Sequence, residues 1–280
     1  MSISLNEKTI LVRGAGDIAS GIIWSLAYAG FKVVAVDKDK PTVIRTEVSF
    51  SDAIYKGSKT LDGITAIYAQ NVEIIESIID NKKVALFVDE NADILKKIKF
   101  DVVVDAIMAK RNTGTNMNMA NLVIGVGPGF TAKVDCNFAI ETMRGHKLGK
   151  IYEIGSPIPN TGVPGLILSH SYDRVMHSPC DGIFHNVHKI GDIVSKGDVL
   201  SNIEEYENGV PTCNIVKLSA SIDGILRGIL KNRFFATKGL KCADIDPRVE
   251  DRMNAFTISD KAHAIGNAVL CAILHWYNSN

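Results

Sequence analysis

At 280 residues, with 46% hydrophobic and 22% charged residues, the chain is long for one core and comfortable for two, and large-scale disorder is excluded. Lys plus Arg and Asp plus Glu each number 31, so the net charge is zero and the basic surplus of a nucleic-acid binder is missing. The opening MSISLNEKTI lacks the basic start and apolar run of a signal peptide, and no stretch reaches the roughly 18 apolar residues of a membrane span. A cytoplasmic protein without nucleic-acid or membrane partners is expected.

In chain order, Thr9–Arg13 is a short apolar strand, followed by Gly14-Ala15-Gly16-Asp17-Ile18-Ala19 and a helix with Ile22, Ile23, Leu26 and Ala27 at helical spacing. Phe31–Val36 is a second strand with Asp37 at its end, 23 residues after Gly14. Strand, G-x-G-x-x-A, helix, strand and acid is the order of a dinucleotide fingerprint. Gly14 and Gly16 would let the backbone approach a pyrophosphate, and Asp37 would accept from a ribose. Asp17 stands where it would repel a phosphate, or it caps the helix instead. Arg45, just after the second strand, either meets a phosphate or pairs with Glu47.

Helices over Asn71–Ile79 and Ala92–Lys97 alternate with strands over Val84–Asp89, Val102–Ile107 and Leu122–Val126, which predicts a parallel sheet with helical crossovers. Polar residues gather after these strands. Lys110-Arg111-Asn112 follows the strand carrying Asp105, and Gly127-Pro128-Gly129 follows the next as a candidate anion-binding nest. Glu141, Arg144 and His146 come after it, then Asn160-Thr161-Gly162-Val163-Pro164-Gly165. Cations, free amides and one imidazole suit an anionic small-molecule ligand, with Arg144 among the neutralising groups and His146 or Glu141 as transfer residues. No Ser-His-Asp order, H-E-x-x-H or P-loop is present. The cysteines, Cys136, Cys180, Cys213, Cys242 and Cys271, are odd in number and form no C-x-x-C pair, against a disulfide framework or structural zinc, and no metal site is expected. Cys136 is of interest only if sulfur or selenium is handled, because it follows the glycine-rich loop.

The C-terminal half repeats itself. Asp181-Gly182-Ile183 precedes Lys196-Gly197 as Asp223-Gly224-Ile225 precedes Lys238-Gly239, with both glycine spacings 15 and the halves 42 apart. Ile190–Leu200 resembles the turn of biotinyl and lipoyl domains, yet the joining segment Ser201–Pro211 has no lysine to carry a prosthetic group. Ser259 is the candidate N-cap of an apolar helix running to about Trp276, which packs on a larger core or a second subunit. The predicted fold class is therefore α/β: a Rossmann-like parallel-sheet domain over 1–165, an all-β barrel-sandwich hybrid over 166–245, and a C-terminal helix over 246–280. A homo-oligomer is expected.

The segments VRGAGDIASG (12–21), PTVIRTEVSFSDAIYKG (41–57), DAIMAKRN (105–112), VIGVGPGF (123–130), ETMRGHKLGKIYEIG (141–155), NTGVPG (160–165), SPCDGIF (178–184), DGILRGIL (223–230), KCADIDPR (241–248) and SDKAHAIGNAVL (259–270) together resemble the YqeB-type accessory proteins of selenium-dependent molybdenum hydroxylase systems. The pattern departs from that family at Arg45-Thr46 and near Asn137. The resemblance implies a maturation factor that holds a molybdopterin-type cofactor and meets a molybdenum hydroxylase. Two other readings stay open: an NAD(P)-dependent oxidoreductase with His146 as acid, and a non-catalytic scaffold that docks a client hydroxylase.

Overall fold

The structure, a computed structural model, describes residues 7–163, 165 and 167–279. It divides into two units: Met1–Pro41 with Val48–Thr161 and Ile258–Asn280, and Thr42–Glu47 with Gly162–Thr257. The first contains β1 (Thr9–Arg13), α1 (Asp17–Tyr28), β2 (Lys32–Asp37), α2 (Ala53–Lys56), β3 (Ser58–Leu61) and β4 (Ile64–Ala69). These are followed by α3 (Ile75–Asp80), β5 (Val84–Val88), β6 (Val102–Asp105), β7 (Leu122–Val126), β8 (Phe138–Ile140), β9 (Ile151–Tyr152) and the long α4 (Asp260–Ser279). Nine strands form one sheet in the order β3-β4-β5-β2-β1-β6-β7-β8-β9.

Both faces of this sheet are covered, which is why its central strands read as unbroken apolar runs. Side chains alternate. Ile10, Val12, Val102 and Val104 pack with Ile22, Ile23 and Leu26 of α1 and Ile265, Val269 and Ile273 of α4. Leu11, Val34, Val103 and Val123 face the opposite way, toward Ile75 and Ile78 of α3, Phe100 and Cys136.

The expected fold class is corrected here. The sheet is mixed: β3 pairs antiparallel with β4 and β9 antiparallel with β8, flanking a parallel centre. The Asp62-Gly63 turn has φ of 42° and 83°, the left-handed pair that a two-residue hairpin requires, and it makes the β3–β4 edge. Helical crossovers are scarce as well. The predicted helix Asn71–Ile79 is the six-residue α3, and Ala92–Lys97 is a 3-10 turn over Asp93–Lys96. There Asp89 accepts from the amides of Asp93 (2.9 Å) and Ile94 (2.7 Å), while Ala92 stands at φ 60°, so no helix can extend back through it. Expectations that fall on Met1–Asn6, Pro164 and Leu166 lie outside the described residues.

The second unit carries β10 (Val175–His177), β11 (Asp181–Asn186), β12 (Ile193–Val194), β13 (Val199–Glu207), β14 (Val210–Ser219), β15 (Gly224–Ile229), β16 (Phe235–Ala236) and β17 (Lys241–Asp246). In place of a biotinyl- or lipoyl-type barrel sandwich there are two four-stranded antiparallel sheets, β10-β17-β15-β12 and β14-β13-β11-β16. The sequence repeat has a physical cause. Asp181 accepts from the amide of Lys238 (2.6 Å) and Asp223 from the amide of Lys196 (2.7 Å), so each half holds the Lys-Gly turn of the other. Among the described residues, no helix is long and apolar enough to cross a membrane.

In the first unit α1 and α4 meet backbone to backbone. A Cβ on Gly21 would lie 2.5 Å from the Ala262 carbonyl oxygen, and one on Gly266 would collide with Ser25 and the carbonyl of Gly21. Gly21→Ala decides between two effects of opposite sign. Helix propensity favours alanine by about 1 kcal/mol, whereas overpacking against an unyielding backbone costs about 1–3 kcal/mol. Urea denaturation is expected to show a net loss of stability.

Candidate functional site

The carboxyl ends of β1, β2, β6, β7 and β8 lie along one edge of the sheet, where open α/β sheets present loops for ligands. Gly14 (φ 98°) is required: a Cβ there would stand 2.9 Å from the Ala106 carbonyl oxygen, and its amide donates to Val36 (2.7 Å). The Ala15 amide donates to Asp37 Oδ2 (3.0 Å), and the Lys38 amide to Oδ1 (2.8 Å). Burial pushes the Asp37 carboxyl up, opposed by those two backbone hydrogen bonds. Asp37 thus grips the first glycine loop from within. Gly16 is the N-cap of α1, and Asp17 stands in its first turn.

Arg13 and Asp105 form a second internal set. Their side chains are 3% and 2% exposed, Arg13 Nη1 donates to Asp105 Oδ2 (3.2 Å) and to the Thr115 hydroxyl, and that hydroxyl donates to Asp105 (2.6 Å). A buried pair of this kind is expensive to break, because either partner alone is an uncompensated charge. Asn112 continues the set, accepting from the Gly114 (2.9 Å) and Thr115 (2.8 Å) amides and donating to Asp135 (3.2 Å). Arg13 falls on the sheet face of Leu11, opposite α1 and α4.

Two of the expected motifs come together. A Cβ on Gly129 would sit 2.5 Å from Arg111 Cα, so the Gly127–Gly129 turn rests directly on the Lys110–Arg111 backbone. Lys110 and Arg111 are exposed, and among the described residues neither makes an ion pair. Gly127 (φ 89°) is not a free donor, since its amide bonds the Ile140 carbonyl (2.8 Å). The amides of Gly129 and Phe130 have no acceptor among the described residues. Met108 (φ 61°) and Lys110 (φ 63°) both hold left-handed backbone, at a cost of about 1–3 kcal/mol each. Strain of this kind clusters at binding loops.

The third group lies where β8 meets α4. Glu141 is fully buried, accepting from the amides of Thr142, Met143 and Ile158 (2.8 Å each) and from the Tyr152 hydroxyl (3.4 Å). Arg144 makes a bidentate pair with Asp260 (2.8 and 3.0 Å), and His146 is exposed. The Ser259 hydroxyl accepts from the Ala262 amide (3.2 Å), capping α4. Sequence reasoning passed over Lys261, in the first turn of α4. Burial lowers its ammonium most, and Arg144 adds to this, while Asp17, Glu141 and Asp260 oppose the shift. The phrase SDKAHAIG marked the segment, but a single lysine in a helix carries no spacing signal.

Arg45 belongs to the second unit, where it lies against Gly228 and donates to the Asn254 carbonyl (3.1 Å). Cys136 is buried, and burial pushes its thiol up to about 11, against thiolate chemistry at neutral pH. Among the described residues, no group of three or more His, Cys, Asp or Glu is placed to hold a metal ion.

These features define an α/β protein with a nine-stranded mixed sheet, a cationic glycine turn at its carboxyl edge and an all-β unit. The chain is 42% identical over 268 residues to the protein described as Uncharacterized protein YqeB of Escherichia coli (strain K12), which covers 96% of the chain and 48% of that protein. Across that span it belongs to the YqeB family, and it covers about half the length of this relative. No family model matches it.

Solved structures with some similarity to the chain include the ectoine utilization protein EutE (DoeB) from Ruegeria pomeroyi (12% identity, 84% of this chain and 52% of that one, TM-score 0.23). Another is a succinylglutamate desuccinylase/aspartoacylase from Rhodobacter sphaeroides (14%, 85% of each chain, TM-score 0.28). A third is an aspartoacylase family protein from Mesorhizobium loti (10%, 85% and 84%, TM-score 0.28). Likeness at this level transfers no activity. The expected functions of molybdenum hydroxylase maturation, with its molybdopterin and selenium associations, and of NAD(P)-dependent oxidation are corrected by the geometry of the residues assigned to the ligand. Those residues are engaged within the chain. Asp37 is engaged by the chain's own amides, and Arg13 and Arg144 are engaged by Asp105 and Asp260.

Lys261 gives the site a pH signature. Its folded-state value lies below its ordinary 10.5, so folding shifts the balance toward the neutral amine relative to the unfolded chain. Its contribution to stability is full above 10.5 and is lost as pH falls through the lowered value. Denaturant titrations from pH 7 to 10.5 should show unfolding free energy rising with pH, and Lys261→Met is expected to flatten that rise.

Proposed function

We propose that the chain binds a small anionic molecule at the carboxyl edge of its nine-stranded sheet, over the Gly127–Gly129 turn. The observation that carries this reading is the seating of Gly129 on Arg111, which sets two exposed cations beside the amides of Gly129 and Phe130, all four without partners among the described residues. Arg111 supplies a planar fork that matches a carboxylate or phosphate, Lys110 a point charge, and the turn two N–H donors. Asn112 supports them, tying the segment to Asp135 and through Thr115 to the buried Arg13–Asp105 pair. Glu141 and Asp37 act as anchors of the surrounding loops, with their oxygens on backbone amides. Gly14 and Gly16 shape the neighbouring loop.

Isothermal calorimetry with oxalate, pyruvate and phosphate tests this. Arg111→Ala and Lys110→Ala are each expected to weaken the best of the three about tenfold, or about 1.4 kcal/mol. Lys83→Ala, at the opposite edge just before β5, should change nothing. Equal affinities in all four proteins would refute the assignment.

A further inference from the structure

We propose that Lys261 is a nucleophilic amine that condenses with the carbonyl group of a small oxo acid. The position is rigidly built. Ser259 caps the helix, Ala262 touches α1 at Gly21, and Gly149 approaches α4 so closely that a Cβ there would lie 3.2 Å from the Ala264 carbonyl oxygen. Arg144 holds the adjoining Asp260 in two hydrogen bonds. Lys261 itself is half-buried, and among the described residues it makes no hydrogen bond and no ion pair.

Its surroundings explain why the amine is left available. Of the carboxylates that face it, Asp260 is taken by Arg144, and Glu141 by three amides and the Tyr152 hydroxyl. Asp17, in the first turn of α1, is the third. Lys8, Lys32 and Lys96 show the contrast. Each donates to an aspartate, at 3.1, 2.6 and 2.5 Å, and each is raised by that bond. Lys261 has burial and the Arg144 guanidinium working the other way. Desolvation beside another cation raises the fraction of neutral, nucleophilic amine.

In the condensation, Nζ attacks the carbonyl carbon and a C–N bond forms. The carbonyl oxygen gains two protons and leaves as water, giving an imine with no change of oxidation state. The acid part of the substrate class rests on the anion-site reading above; the amine does not.

The test uses the intact chain with pyruvate and cyanoborohydride, which reduces an imine to a stable secondary amine, followed by peptide mass mapping. The adduct should form on Lys261 at least about tenfold faster than on Lys83. Lys261→Met should remove it while circular dichroism stays as in the parent. A rate at Lys261 no greater than at Lys83 overturns the proposal. If Arg111→Ala keeps the preference for Lys261 at full rate, the amine assignment stands and the anion site at Lys110 and Arg111 is the part that fails.

Discussion

The backbones of α1 and α4 touch where Gly21 passes Ala262 and Gly266 passes Ser25, and this contact governs what the strand ends can display. Without it α4 could not lie against the face of the sheet that Ile10, Val12 and Val104 present, and that face would remain open to water. The contact also fixes a direction. It places the first turn of α4, with Asp260 and Lys261, beside the first turn of α1, with Asp17. Two helix starts therefore share one corner with the loop after β8. Close helix approach of this kind depends on small residues because the gain is dispersion summed over many contacts, and any Cβ between the backbones forfeits it.

Charge is sorted around that corner by how each group is satisfied. Arg13 and Asp105 are dry and mutually paired, so they fix the β1–β6 loops and offer nothing to a ligand. Glu141 and Asp37 spend their oxygens on backbone amides, which orders the loops after β8 and β1. Arg144 is bound to Asp260. Lys110 and Arg111 stand apart from this pattern, exposed on a segment strained at Met108 and Lys110 and packed against Gly129, which has no side chain. An enzyme or binding protein places its adaptable charge on loops held by such a rigid frame.

Much of the first unit was legible because local patterns and tertiary structure agree there. Thr9–Arg13 and Leu122–Val126 are strands to the residue, and Ile22, Ile23 and Leu26 bury the face of α1 that their spacing indicates. The duplicated Asp-Gly-Ile and Lys-Gly phrases proved to be two aspartates exchanging turn amides. What failed was non-local. The antiparallel edges that make the sheet mixed come from the Asp62-Gly63 turn and from β8–β9, whose short strands give no periodicity. The residues of Thr42–Glu47 leave the first unit altogether, and Ile229 donates to the Ile44 carbonyl (2.9 Å), a partner no window of sequence reveals. Arg144 read as a free cation because its partner, Asp260, is 116 positions away, and the Arg13–Asp105 pair, 92 positions apart, left no local trace. Lys261 carried no signal, since its chemistry comes from three other segments.

An amide-resolved NMR titration with phosphate addresses the anion site most directly. Saturable shifts concentrated at Lys110, Arg111, Gly129 and Phe130 are the expected result, with Gly127 following through its bond to Ile140. Shifts spread over exposed lysines such as Lys83 and Lys97, with those four residues silent, would contradict the account.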